Sequence, residues 1–516
     1  MINPDSASLA AHTSHGDSAT SQNDPIFWPL TFRSGLTVKN RIFRSNISGQ
    51  FDKYNGQGTQ TRIDWETSFA RGGVGCILSS YAPVHVRGRI LVRYAMIDND
   101  DKIPFWRQVG QSVAQAGKEA FPNHPTQSGD CKYIVQLSHS GRQQDVGGFE
   151  NKDKKALSST SRPDYFHGIL CRAMTKREIL EVIKQFGDAA ERAERAGLAG
   201  VELHAANGYL FTQFLSSAIN DRTDEYGGSL RGRAKFLLDV VDSIKQSVKN
   251  PDTFHLQIKT NAADYDNALY PWRKKGNTLE DAISVCNWAV EKGVDAIHVS
   301  SGSIFPHPRN PAGDLPLRDA IRMYPHIMDA GIRTRFNFWV FRNPILGPLF
   351  RYWWNKRRGI PYEKISGGIN LGFATKIKQA LIQPAGLPDG VKIPVLVTGG
   401  FQHARVIREA ISSGKVDGVS IARPLIANRD LPKLFMSGMD WEDASYIPDE
   451  NWPIENRNPC TYCNKCLFRD LNDLLGCYEL SRFSSKEEMD RKIYEVAGPD
   501  FKDNELDNVQ TEQLGD

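Results

Sequence analysis

Three residues at the end of one apolar run have the types needed to act on a single substrate. The segment Gly200–His204 (GVELH) reads as a strand, and Asn207 and Tyr209 follow His204 within five residues. A neutral imidazole and a carboxamide both donate hydrogen bonds. Two donors aimed at one oxygen stabilise charge growing on a carbonyl or nitro group in a transition state. A phenol nearby can then deliver a proton. Singly, each is as readily a polar residue satisfying a loop; the grouping of all three at one strand end points to chemistry.

Two further sets carry chemistry of other kinds. Gly399 and Gly400 follow the run Pro394–Thr398 and free the backbone to approach a phosphate, while Ala422 and Arg423, closing the last run, supply N–H groups and a guanidinium. Four of the eight cysteines, Cys460, Cys463, Cys466 and Cys477, stand in the spacing C-x2-C-x2-C-x10-C. Thiolates so spaced suit an iron–sulfur cluster or zinc. Cys76, Cys131, Cys171 and Cys286 are scattered. The stretch before Arg33, the first basic residue, has neither a basic n-region nor a long apolar core. The expectation is a cytoplasmic protein whose thiols bind metal rather than form a disulfide framework.

Such residues need a scaffold that brings them together. Eight short apolar or β-branched runs alternate with helical patterns: Arg41–Ser48, Val74–Ser79, Tyr133–Leu137, Gly200–His204, Phe254–Thr260, Ala296–Ser301, Pro394–Thr398 and Asp417–Ala422. The helix after Thr175 opens with a Thr175/Glu178 capping box, places Ile179, Val182, Ile183, Phe186 and Ala190 on one face, and stops at Gly197. Strict alternation implies a parallel sheet, and eight strands close a barrel. An open doubly wound sheet has the same period. The polar residues favour the barrel, because Ser48, Gln136, His204, Lys259, Ser301, Gly399–Gly400 and Arg423 all fall at strand C-termini, which in a (β/α)8 TIM barrel share the face that carries the chemistry.

With 516 residues, 40% hydrophobic, 24% charged and a net charge of +4, the composition is that of a globular chain with no global pull toward nucleic acid. No apolar run is long enough to span a bilayer. Residues 1–24 read as a disordered tail, 25–440 as the barrel with an insertion at about 305–370 after strand six, and 441–516 as a cysteine-rich extension. Within the insertion, residues 333–358 hold seven basic residues, eight aromatics and no acid, with Pro344 and Pro348 forbidding one continuous helix. This stretch suits peripheral contact with an anionic membrane, or a lid or dimer contact over the barrel mouth.

The segment HAANGYLFTQFLSSAINDRTDEYGGSLRGRAKFLL, from His204 onward, closely resembles the Old Yellow Enzyme family of FMN-dependent ene-reductases. The resemblance extends through KNRIFRSNIS, FARGGVG, QLSHSGRQ, VTGGF and SIARPLIANRDLP, over most of residues 26–435. It implies FMN as cofactor, NAD(P)H as cosubstrate and an enone-type small molecule as substrate. It also implies that His204 and Asn207 grip the substrate oxygen and Tyr209 protonates the α-carbon. Gln136 would bond the flavin pyrimidine edge, and Ser48 would stand where the family has threonine or cysteine near flavin O4. Lys259 would replace the usual arginine beside flavin N1, keeping the charge but losing the fork. Gly399, Gly400, Ala422 and Arg423 would hold the phosphate.

The cysteine spacing resembles the segment after the barrel in the dienoyl-CoA reductase and trimethylamine dehydrogenase branch, which implies a [4Fe-4S] cluster at Cys460, Cys463, Cys466 and Cys477. That branch continues into two further nucleotide-binding domains, whereas this sequence stops at Asp516, so an internal NAD(P)H site with a second flavin is not expected. Two rival functions remain: a flavin/iron–sulfur dehydrogenase or demethylase passing electrons outward, and a membrane-associated flavin electron carrier. The intact His204–Asn207–Tyr209 set argues against the carrier, which needs no proton donor.

Overall fold

A computed structural model describes residues 23–436 and 459–496, apart from residues 48, 144–147, 266–271, 273, 362–363, 386 and 388–391. The sequence-expected tail over 1–24 and the boundary at 440/441 thus fall largely or wholly outside the described residues, as does Ser48.

Eight parallel strands close into one barrel: β1 (Ile42–Arg44), β2 (Cys76–Pro83), β3 (Lys132–Ser138), β4 (Gly200–Ala205), β5 (His255–Asn261), β6 (Ala296–Ser300), β7 (Val395–Thr398) and β8 (Gly418–Ile421). Each pairs with its sequence neighbour, and β8 returns to β1 through Val419 opposite Ile42. The strands are buried on both faces, as a sheet covered by helices outside and filled by side chains inside must be. The fold is therefore the (β/α)8 barrel expected from the alternation.

Each of the eight expected runs overlaps a barrel strand, with one difference of consequence. The second strand continues past Ser79 to Pro83. Between Leu78 and Tyr81 it carries one more residue than β3, a bulge that shifts the register from Leu78 opposite Ile134 to Tyr81 opposite Gln136. A bulge breaks the period-two pattern and re-aims the side chains beyond it, which is why alternation alone ended the strand early.

An antiparallel ribbon, Leu30–Thr31 with Thr37–Val38, plugs the N-terminal end of the barrel. Leu30, Phe32 and Val38 pack there on Phe43, Cys76, Leu78, Ile134, Ala296 and Leu396. With that end closed by the ribbon, the polar residues at the strand C-termini open toward the opposite end. Helices α1 (Gln60–Arg71), α2 (Ile103–Ala120), α3 (Lys176–Arg195), α4 (Leu230–Ser247) and α5 (Leu279–Glu291) surround the barrel. The helix α3 has the expected reciprocal cap between Thr175 and Glu178, and its five expected core residues are all buried.

The insertion after β6 is helical. It contains α6 (Leu317–Met323), α7 (Ile332–Arg342) and α8 (Leu346–Arg357), and the barrel resumes with α9 (Leu371–Ala380) before β7 and α10 (Ala404–Ser412) after it. Pro344 separates α7 from α8. Pro348 lies in the first turn of α8, where a missing N–H leaves no helical bond unmade. The described part of the cysteine-rich extension folds back on this end of the barrel. Asn464 Nδ2 donates to Asp314 O at 2.8 Å, Arg469 Nη2 donates to Gly49 O at 2.9 Å, and Cys460 N donates to Gln402 Oε1 at 3.1 Å. Among the described residues no helix is long and apolar enough to cross a membrane.

Candidate active site

The C-terminal ends of the strands surround a cavity of about 300 Å³. Asn207, Tyr209, Lys259, Ser300, Ser301, Gly399, Gly400, Ala422 and Arg423 all line it. Residues separated by more than 200 positions are thus gathered by the barrel at one mouth. His204 and Gln136 are buried side chains of β4 and β3, adjoining this wall rather than lining it.

The β4 end holds the expected trio. The His204 ring lies against Tyr209 at 4.7 Å between centroids and parallel to Tyr81 at 5.1 Å, and neither of its nitrogens has a hydrogen-bond partner within the protein. Burial, with Lys259 nearby, holds its pKa well below the usual histidine value, so the ring is neutral and keeps one N–H to donate. The Tyr209 phenol is buried and hydrogen-bonded to Tyr81; burial first, then Tyr81 and Tyr94, raise its pKa well above the ordinary tyrosine value. It therefore carries its proton at neutral pH. Asn207 turns the chain out of β4 with φ of +62°, a left-handed conformation that asparagine tolerates better than most residues. Its Nδ2 donates to Ser300 Oγ at 3.2 Å and Ser301 O at 3.1 Å, which fixes the amide against the β6 end.

Tyr81 was not legible as a site residue. It lies just past the bulge in β2, where an alternating pattern no longer assigns a face, and it links His204 to Tyr209.

A second group lies on the two strands that flank β4, with Gln136 in register beside Glu202 and Lys259 beside His204. Gln136 Nε2 donates to Glu202 Oε1 at 2.6 Å, while Gln136 Oε1 is buried with no partner. Lys259 Nζ donates to Asn46 Oδ1. Burial lowers the Lys259 pKa to about 8, with Glu202 opposing the shift. A bare buried acceptor and a buried cation beside a cavity are what an anionic ring with N–H edges would satisfy.

At the end of β7, Gly399 and Gly400 have φ of +120° and +77°. A Cβ on Gly400 would lie 1.7 Å from Ile365 O, so only glycine fits the turn. Arg423 donates to Asn464 Oδ1, and its guanidinium stacks on Tyr462 at 5.0 Å from the ring centre. The arginine thus joins the cavity to the cysteine loop. The four cysteines of that loop are unpaired and surround a cavity of about 20 Å³ with Arg423 and Asn464. Burial raises the thiol of Cys460 to about 11 and raises Cys463 and Cys466 as well. A single zinc ion needs its thiolates about 2.3 Å from one point; among the described residues no three His, Cys, Asp or Glu side chains are grouped to hold one ion.

Residues 25–313 match the family model described as the NADH:flavin oxidoreductase / NADH oxidase family. The chain belongs to this family. It is 26% identical over 435 residues to the NADH-dependent flavin oxidoreductase iliE of Hypocrea jecorina, covering 81% of this chain and 90% of that one. The NADPH dehydrogenase of Halalkalibacterium halodurans is 31% identical over 301 residues, 58% of this chain and 80% of its own. With the NADH oxidase of Thermoanaerobacter brockii the identity is 26%, over 80% of this chain but only 51% of that longer protein. Among solved structures, 2-naphthoyl-CoA reductase aligns with a TM-score of 0.64 at 21% identity, over 92% of this chain and 58% of that one. Morphinone reductase aligns with a TM-score of 0.55 at 19% identity, over 86% and 96%. The protein is an NAD(P)H-dependent flavin oxidoreductase of the Old Yellow Enzyme family, and FMN is the cofactor this family implies. The free Gln136 acceptor, the Lys259 cation and the glycine turn at 399–400 fit that group.

Proposed function

We propose that this oxidoreductase reduces C=C bonds conjugated to an electron-withdrawing carbonyl, with NAD(P)H as the source of electrons. The observation that carries this reading is the meeting of a neutral, unpartnered His204, an Asn207 amide and a protonated Tyr209 at one strand end. FMN, when bound, supplies hydride transfer. His204 donates to the substrate carbonyl oxygen. Asn207 joins it by exchanging its bond to Ser300 Oγ for one to that oxygen, while its bond to Ser301 O keeps the amide in place. The two donors stabilise the enolate-like charge that develops on the oxygen. Tyr209 then gives its proton to the α-carbon, and Tyr81 holds the phenol in position until it does. Gln136 and Lys259 would hold the pyrimidine side of the cofactor, and Gly399, Gly400, Ala422 and Arg423 its phosphate.

Anaerobic stopped-flow mixing tests this. NADH or NADPH should bleach the flavin, and 2-cyclohexenone should then restore its colour. His204→Ala/Asn207→Ala should keep the first phase and lose most of the second. Reoxidation no faster with cyclohexenone than with buffer would overturn the reading.

The cysteine loop favours an addition to it. Cys460, Cys463, Cys466 and Cys477 enclose one space, and their C-x2-C-x2-C-x10-C spacing supports a [4Fe-4S] cluster, with zinc as the alternative occupant. Such a cluster would supply one-electron transfer. If substrate reduces the flavin without NAD(P)H and the cluster drains it, the dehydrogenase reading replaces the ene-reductase one. Iron and acid-labile sulfide in anaerobically purified protein, absent from Cys466→Ser, are the expected result; iron-free, folded protein would remove the cluster.

A further inference from the structure

The helix pair α7–α8 buries one face and leaves the other uncovered among the described residues. On its inner side Phe341 meets Tyr324 edge-on at 5.1 Å and Trp354 meets Phe166 at 5.8 Å. Phe166 and Tyr324 also line the active-site cavity, so the pair roofs one side of it. On the outer side Ile332, Phe336 and Trp339 recur at i, i+4 and i+7 along α7, and Ile345, the N-cap of α8, repeats that spacing with Leu349 and Tyr352. Each is more than half exposed. These six are nearly half of the thirteen large exposed hydrophobic side chains among the described residues, and they fall within 21 consecutive positions. Exposed apolar side chains scattered singly are ordinary; a patterned patch marks an interaction surface.

Charge decides what that surface fits. Residues 331–361 contain no Asp or Glu and seven Lys or Arg. Exposed Arg342 and Lys356 follow the two stripes, three residues after Trp339 and four after Tyr352. Arg342 lies 5.3 Å from the Phe338 ring and Arg357 5.8 Å from the Trp353 ring, so aliphatic stems and aromatic faces together support the cations. A second copy docked on this face across a two-fold axis would set basic residues against their own counterparts. An anionic surface has no such penalty. Helices of 11 and 12 residues are too short to span a bilayer, which needs about 20.

We propose that α7–α8 docks the enzyme on an anionic lipid bilayer, with the six apolar side chains entering the headgroup–acyl boundary and the exposed Arg342 and Lys356 meeting lipid phosphates. This is independent of the reaction proposed above, and its test does not use turnover. Purified full-length protein is sedimented with vesicles of phosphatidylcholine alone and of phosphatidylcholine with phosphatidylserine. The wild type should pellet with the phosphatidylserine vesicles, less so with the neutral ones, and less at high salt. Phe336→Ser/Trp339→Ser/Leu349→Ser/Tyr352→Ser should lose at least about tenfold in partitioning while retaining flavin and NAD(P)H oxidation in solution. Arg342→Gln/Lys356→Gln should weaken only the phosphatidylserine-dependent part. The proposal is overturned if wild type stays in the supernatant, if wild type and the serine variant pellet alike, or if the serine variant instead abolishes a concentration-dependent dimer.

Discussion

Glu202 decides which end of the Gln136 carboxamide is bonded and which is left free. A carboxylate only accepts, so the Gln136 NH2 must face it, and Nε2 donates at 2.6 Å while Oε1 keeps no partner. Glu202 is fixed in turn by Gln257 Nε2 and by His298 Nδ1, 2.8 Å away, so the network crosses four consecutive strands, β3 to β6. Burial alone would raise the Glu202 pKa; His298, Lys259 and Gln257 outweigh it and hold the group as a carboxylate.

Replacing Glu202 by Gln removes that orientation, because a second carboxamide can donate as well as accept. A hydrogen bond to a charged group contributes roughly 1.5–3 kcal/mol, and a neutral one about 1. Glu202→Gln should therefore weaken FMN binding about tenfold, close to the effect of Gln136→Leu, and the two together should cost little more than either. Quenching of flavin fluorescence on titrating apoprotein measures this; fully additive losses would show that Glu202 does not act through Gln136.

Gly400 offers a test of the proposed phosphate site. Its φ of +77° and the 1.7 Å approach of a Cβ to Ile365 O make alanine doubly unfavourable. Gly400→Ala should destabilise the protein by more than about 1 kcal/mol, seen as a lower Tm, and should release FMN on gel filtration. Gly414, also at positive φ but with no atom within 4 Å of an added Cβ, should lose less stability as Gly414→Ala and keep its flavin.

Much of this centre was legible because barrel geometry turns sequence position into spatial position. A polar residue at the C-terminal end of any strand must face the same mouth, so Lys259, Gly399–Gly400 and Arg423 meet Asn207 and Tyr209 although β7 and β8 lie far along the chain. Tyr81 escaped because the bulge before it cancels the alternation that assigns faces. The role of Arg423 was legible only in part. Its place at the β8 end was readable, but its contact with Asn464 depends on how the extension folds back, and no periodicity encodes that. The Asn207 bonds to Ser300 and Ser301 were hidden for a similar reason, since they join the ends of β4 and β6, two strands not adjacent in the sheet.

Tyr209 and Tyr81 should separate the steps of turnover. General acid catalysis contributes roughly 10²–10⁴-fold. Tyr209→Phe should slow reoxidation by cyclohexenone by about that factor and leave reduction by NAD(P)H unchanged. Tyr81→Phe, which removes a partner rather than the donor, should have a smaller effect on the same phase. Equal loss in both phases for Tyr209→Phe would mean that the phenol supports the fold or the cofactor and not the proton transfer.

Lys259 should make flavin binding depend on pH. Burial sets its pKa at about 8 in the folded chain, against 10.5 for an ordinary lysine. Between those values the unfolded chain binds the extra proton, so the stability of the apoprotein should rise with pH across that window. Flavin binding should run the other way. The charged ammonium is the form that pairs with an anionic reduced ring, so affinity for reduced FMN should be level below about pH 8 and fall above it, as each binding event must then take up a proton. Lys259→Met should bind reduced FMN more weakly and without the break near pH 8. Lys259→Arg, which keeps its charge throughout the range, should restore tight binding and also remove the break. A wild-type affinity that stays level to pH 10 would show that Lys259 does not carry the charge facing the ring.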